Sequence, residues 1–177
     1  MEQIKWPFLK QTWGIEFESS KGAYLYTKDG RKILDAAGGA IVNNIGYGRE
    51  EVAEAISRAV INNSYILPPF LTPEREALLD ELRNHWLPSH LTRIHLSSGG
   101  SEANESAVKL AIQYQESRGK PEKNIILTRS LSYHGTTLNM SGISGHEARK
   151  RGLESYVPSP TTIETPYPLR CPLGSFH

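Results

Sequence analysis

The stretch that most constrains the fold runs from Arg93 to Gly135. A short apolar-rich run, Ile94-His95-Leu96-Ser97, breaks at Ser98-Gly99-Gly100-Ser101. Ala103, Ala107, Leu110, Ala111 and Tyr114 then recur at spacings of three and four, which places them on one helix face. Ser101 is a favoured N-cap type, so a helix is predicted from Glu102 to about Ser117, with Gly119 and Pro121 as its stop. The capping box is incomplete, because Asn104 stands where Glu or Gln would close it. A second apolar run, Asn124 to Thr128, leads to Ser132-Tyr133-His134-Gly135. Strand, glycine turn, helix, strand is the order of a βαβ unit. It predicts that 94–97 and 124–128 are parallel strands joined right-handedly.

The turn before the helix is where chemistry could sit. Two glycines let the backbone approach a ligand closely. The free N–H groups of a first helical turn, with the helix dipole, favour an anion such as a phosphate. Ser101 adds a hydroxyl at the same point. The same four residues also read as a plain strand-to-helix turn. They form no Walker A loop, since no Lys-Ser/Thr follows, and no GxGxxG is present. Glu102 and Glu105 suit the dipole, yet a carboxylate beside a phosphate repels it unless it points away.

Upstream, Ile15, Phe17 and Ser19 alternate with Glu16 and Glu18, the pattern of a half-exposed strand. Ala23 to Thr27 and Lys32 to Leu34 flank Asp29-Gly30, which predicts a hairpin with a type I′ turn. A small antiparallel meander is therefore expected from about Gly14 to Asp35. Residues 37–48 hold four glycines and two asparagines, readable as a connector or as a ligand-facing loop. Val52, Ala55, Ile56, Ala59 and Val60 give a helix from Glu51 to about Asn62. Thr72-Pro73-Glu74 opens another, with Leu78, Leu82 and Trp86 as its core face and Pro88 as its end. From Pro158 to Pro172 five prolines predict an extended connector.

A net charge of +1 gives no reason to expect nucleic acid or an anionic membrane as partner. The apolar runs are too short to span a bilayer. The single Cys171 fits a reducing, cytoplasmic setting. His85, His90 and His95 recur every five residues, which matches neither one helix face nor the common zinc spacings. No metal site is expected.

Gly100-Ser101-Glu102-Ala103-Asn104-Glu105, then Ala107, Lys109 and Ala111, then Tyr133-His134-Gly135, resemble the class III aminotransferases. Leu34 to Gly39, Val42 to Gly48 and Arg170-Cys171-Pro172-Leu173-Gly174 are similar to further family segments, so the resemblance covers nearly the whole chain in order. It implies an α/β fold: the N-terminal part of the aspartate aminotransferase-like, fold type I architecture, with a small meander followed by an incomplete, mostly parallel large-domain sheet. It implies a small N-terminal segment at 1–48, the first part of the cofactor domain at 49–157 and a connector at 158–177. The implied cofactor is pyridoxal 5′-phosphate, with Gly100 and Ser101 on its phosphate, Tyr133 stacked on its ring, and His134 and Gly135 shaping that loop. Residues 37–48 would line the substrate side. The implied substrates are an amine or ω-amino acid and a keto acid, and the implied full-length assembly is a homodimer. None of the lysines, including Lys109 two turns into the helix, matches the family's Schiff-base lysine, and Asp29, Asp35 and Asp80 lie in unsuitable motifs for the acid that pairs the pyridinium nitrogen. Both residues are expected beyond position 177, leaving this chain catalytically incomplete. The alternative from another class is a stand-alone, non-catalytic phosphate- or pyridoxal-phosphate-binding module.

Overall fold

The computed structural model describes residues 14–170, so Cys171 and the rest of the proline-rich end lie outside the described residues. The chain divides into two compact units between Pro88 and Ser89.

In the first unit, β1 (Phe17–Lys21), β2 (Tyr24–Thr27) and β3 (Lys32–Leu34) form the expected antiparallel meander, paired in sequence order. The β2–β3 turn differs from the expected type I′. The Gly30 N–H donates to the Thr27 carbonyl at 3.0 Å, and the Thr27 N–H donates to the Arg31 carbonyl at 3.0 Å. Only Gly30, at φ 85°, takes a positive φ there. This is a three-residue loop with glycine at its left-handed position. Buried Thr27 selects it, because its hydroxyl accepts the Arg31 N–H at 2.9 Å and also donates to the Asp29 carboxylate.

After β3 the chain makes one left-handed turn. Gly38, Gly39, Ala40 and Ile41 have φ of 55°, 61°, 63° and 71°. For Ala40 and Ile41 this region is strained by about 1–2 kcal/mol each. The Asp35 carboxylate holds the turn, accepting from the N–H groups of Ala37 (3.0 Å) and Gly39 (2.7 Å) and from the Tyr47 hydroxyl (2.7 Å). The Tyr47 hydroxyl, and then the Gly39 and Ala37 N–H groups, keep the Asp35 carboxyl below its ordinary value of 3.8. The same bond pushes the Tyr47 phenol above 10.0. A two-way backbone bridge between Gly22 and Tyr47, at 2.9 and 2.8 Å, ties this loop to the β1–β2 turn.

Helix α1 (Glu50–Asn62) starts with Glu50 and Glu51 in its first turn, where acidic groups complement the dipole. Helix α2 (Pro73–Glu81) begins as expected, with Pro73 at the first position and the Thr72 hydroxyl accepting the Arg75 N–H at 3.3 Å. It continues through a wider π turn, Leu82–Trp86. Trp86 is 73% exposed and its indole N–H donates to Glu81 at 3.2 Å, so neither it nor Leu78 is core. An apolar stripe states which face favours burial and does not state what covers it.

In the second unit, helix α3 (Gly100–Ser117) follows the glycine turn. Its N-cap is Gly99, in extended conformation, and Ser101 is the second helical residue rather than the cap. Glu102 then occupies the third position, and its carboxylate reaches back to the Ser98 N–H at 3.1 Å and to the Ser98 hydroxyl. The partly buried face of α3 is Ser101, Glu105 and Val108; the expected stripe through Leu110 (68% exposed) and Tyr114 faces solvent.

Strand β4 (Leu127–Arg129) pairs in parallel with β5 (Thr161–Ile163), in the register Leu127↔Thr161, Thr128↔Thr162, Arg129↔Ile163. Residues 94–97 join no ladder among the described residues, so the expected pairing of 94–97 with 124–128 is not formed. β5 falls inside the stretch expected to be a connector. Proline cannot donate within a ladder, and 161–165 is the window between Pro160 and Pro166 that is free of it. Between the strands lie α4 (Leu138–Ile143), capped by the Thr137 hydroxyl on the Met140 N–H at 3.4 Å, and α5 (Glu147–Lys150). The core of this unit is small. Met140 is 1% exposed, and Thr128, Gly135, Gly142 and Ser144 are buried with it.

Candidate functional site

The site is made where the first turns of α3 meet the loop between β4 and α4. Residues 101, 105 and 108 are spaced by four and three, so they share one helix face. The Thr136 N–H donates to the Ser101 hydroxyl oxygen at 3.0 Å. The Asn104 side-chain amide donates to the His134 carbonyl at 2.7 Å. Glu105 accepts from the Thr137 hydroxyl at 2.6 Å and from the Asn139 amide at 3.0 Å. Four hydrogen bonds thus join Ser101, Asn104 and Glu105 to residues 134–139. The structure brings Ser101 together with His134 and Gly135, and Gly100 precedes Ser101 on the same turn.

Gly135 explains how close this approach is. Its φ is +143°, and a Cβ there would come within 2.9 Å of the Ser101 Cβ and 3.0 Å of the Met140 Cβ. His134 faces the sheet. Its Nε2 lies 3.1 Å from the Thr128 hydroxyl, which lies 3.2 Å from the Ser132 hydroxyl, which donates to the Arg129 carbonyl at 2.6 Å. Giving each hydroxyl one proton runs the chain one way, from an Nε2–H imidazole through Thr128 and Ser132 to the carbonyl. The His134 backbone N–H donates to Ser144 at 2.9 Å. His134 therefore anchors the loop and leaves Tyr133 at its tip. Tyr133 is 55% exposed; the Arg149 guanidinium sits 5.1 Å from its ring centroid, and the His146 ring is edge-on at 6.2 Å.

The residues present fit a phosphorylated, flat cofactor. The first-turn N–H groups of α3 have no intrahelical acceptor, and the N-cap, Gly99, has no side chain to cap them. Thr136 occupies a lone pair on the Ser101 oxygen, which leaves the Ser101 proton for an anion. Glu102 and Glu105 are both turned to protein donors, so neither carboxylate is spent against that anion. Tyr133 offers an accessible aromatic surface.

The family described as Aminotransferase class-III matches residues 10–174. The chain belongs to the class III aminotransferases. Among its relatives, the probable aminotransferase Rv3329 of Mycobacterium tuberculosis is 36% identical over 153 residues, 86% of this chain and 33% of that protein. An (S)-enantioselective omega-transaminase from Thermomicrobium roseum superposes with a TM-score of 0.82 at 28% identity, over 90% of this chain and 36% of that one. An amine transaminase from an uncultivated Pseudomonas species, in a PLP-bound form, gives a TM-score of 0.87 at 24% identity, over all of this chain and 41% of that one. The fold is the transaminase fold, as the sequence resemblance implied. This class III aminotransferase chain spans about a third of the length of the curated relatives it matches.

Within this class III chain, Asn104, Glu105, Thr136, Thr137 and Asn139 close the site, and the sequence marked none of them as joining the helix to the loop. The signal available for two of them was spacing: Asn104 and Glu105 lie three and four residues after Ser101, on the same side of the helix. Thr137 and Asn139 carry no periodic signal at all.

Proposed function

We propose that this chain is the N-terminal portion of a pyridoxal-phosphate-dependent class III aminotransferase that passes an amino group from an amine or ω-amino acid to a keto acid. The observation that carries this reading is the closure of Ser101 on Thr136 over Gly135, beside the unspent N–H groups of the α3 first turn. The Gly100 and Ser101 N–H groups and the Ser101 hydroxyl bind the phosphate, and the helix dipole adds to their attraction. Tyr133 would hold the cofactor ring by aromatic stacking, with Arg149 beside the tyrosine to steady it. His134 and Gly135 hold the loop and make no claim on the ring. When bound, the cofactor supplies the electron sink that lets an amino group move between carbon skeletons. The Schiff-base lysine and the acid for the pyridinium nitrogen belong to sequence outside these 177 residues, so the chain alone binds weakly and transfers nothing. The complete enzyme acts as a homodimer on small amines and keto acids.

The test is titration of the 177-residue chain with pyridoxal phosphate, followed by borohydride trapping and an amino-transfer assay. Weak, reversible binding is expected, and in the full-length enzyme Ser101→Ala should loosen the cofactor by about 1–3 kcal/mol, the scale of a hydrogen bond to a charged group. A single lysine trapped stoichiometrically, together with measurable amino transfer, would overturn the reading.

A further inference from the structure

We infer that Glu105 is a positioning residue for the phosphate site, acting through the loop it holds; this rests on the reading of that site given above. Its two carboxylate oxygens are divided between two donors, the Thr137 hydroxyl at 2.6 Å and the Asn139 amide at 3.0 Å. Thr137 is the residue after Thr136, whose N–H meets the Ser101 oxygen at 3.0 Å. The Thr137 hydroxyl has both its roles filled: it donates to Glu105 and accepts the Met140 N–H that starts α4. Glu105 therefore fixes the strip of chain that sets which side of the Ser101 oxygen is occupied.

The orientation of the Ser101 proton follows from this. A serine hydroxyl rotates to suit its partners. With Thr136 seated on one lone pair, the proton is directed to the other side. Remove the anchor at Thr137, and the Thr136 N–H drifts, the hydroxyl turns freely, and the phosphate loses a pre-set donor. The role also explains an acidic residue one turn from an anion site. The carboxylate is drawn off toward 137–139, and its charge is spread over two donors. What matters is the pair of acceptor oxygens and their reach, more than the charge itself.

The experiment compares wild type, Glu105→Ala and Glu105→Gln in the full 177-residue chain, by amide hydrogen exchange resolved at single residues and by pyridoxal phosphate titration. Exchange reports local opening directly, so it tests the inference whether or not the cofactor binds. In Glu105→Ala the Thr136 and Met140 amides should exchange about ten-fold faster and cofactor binding should weaken about ten-fold, the equivalent of one hydrogen bond to a charged group. The Thr27 amide, in the other unit, should not change. Glutamine keeps one acceptor for Thr137, and Asn139 can flip to meet its amide, so Glu105→Gln should stay within about two-fold on both readings. Unchanged Thr136 exchange in the alanine variant overturns the inference. So does tighter cofactor binding by the glutamine variant, which would mean that the carboxylate faces the phosphate. If alanine also speeds Thr27, Thr137→Val removes the same bond from the loop side and is read on the Thr136 amide and cofactor affinity alone, since it also removes the Met140 acceptor. A wild type that binds no cofactor, with Thr136 still loosened in Glu105→Ala, overturns the phosphate site proposed above and leaves the hold of Glu105 on the loop standing.

Discussion

A methyl group at residue 135 has nowhere to go. It would press on the Ser101 and Met140 side chains at 2.9 and 3.0 Å, in a backbone conformation at φ +143° that other residues rarely adopt. Gly135→Ala should therefore destabilise the chain by about 1–3 kcal/mol through overpacking and push the loop off Ser101. Denaturant midpoints check the first effect, and the loss of cofactor affinity checks the second. At this scale the sequence was most legible where residue type and chemistry coincide. The glycine turn marked Ser101 as a hydroxyl at a helix start, while Tyr133 and Gly135 were marked by the family resemblance, which did not show how closely Gly135 meets Ser101. The anchors were less legible. Asn104, Thr137 and Asn139 are ordinary polar residues, and what makes them matter is contact across 30 to 34 positions of sequence. His134 was legible as part of the loop, though the direction it faces depends on Thr128 and Ser132, which no local pattern ties to it.

Among the elements, the left-handed turn at Gly38–Ile41 shows how a carboxylate can hold strained backbone. The sequence marked 37–48 as a glycine-rich loop and could not show that Ala40 and Ile41 share the positive φ, since neither residue favours it. Asp35 has a lowered carboxyl pKa, so its contribution to stability is complete above 3.8 and is lost as pH falls through its folded value. Tyr47 has a raised phenol pKa, so its contribution is complete below 10.0 and is lost as pH rises through its folded value. The stability difference between wild type and Asp35→Asn should therefore be flat at intermediate pH and shrink towards both ends; urea titrations across pH check this, and a gap that grew on acidification would refute it. Other elements were read well where capping chemistry is local, as at Thr72-Pro73. They were read less well where a partner decides. The run at 94–97 has strand composition and no ladder among the described residues, whereas Thr161–Ile163 has a ladder inside a proline-rich stretch. A strand is a property of two segments, and a sequence pattern describes one of them.

At the scale of the molecule, the apolar stripes of α1 and α3 are largely uncovered among the described residues. Ile56 and Val60 on α1, Leu110 and Tyr114 on α3, and Ile125 beside β4 are all exposed. Exposed apolar area of this kind marks a surface meant for a partner, and the relatives are about three times as long as the matched portion. The isolated chain is therefore expected to bind a hydrophobic dye strongly and to melt broadly. A sharp cooperative melt with no dye response would instead favour a self-sufficient binding module. The fold family was legible because motif order and spacing survive over nearly the whole length. The face of each helix that packs was not, because periodicity on α3 pointed to the alanine and leucine stripe, while Ser101 and Glu105 head the face that meets the loop.

The hydrogen bonds between α3 and the 134–139 loop have a kinetic meaning as well. They connect residues 30, 32, 34 and 35 positions apart, so all of them close what is nearly the same ring of chain. Closing a ring of that length costs about 3 kcal/mol of chain entropy, and the cost falls on whichever bond forms first. Each later bond closes only a few residues more. The glycine turn and the 134–139 loop should thus come together in one step once α3 has formed, with half-joined forms too rare to accumulate.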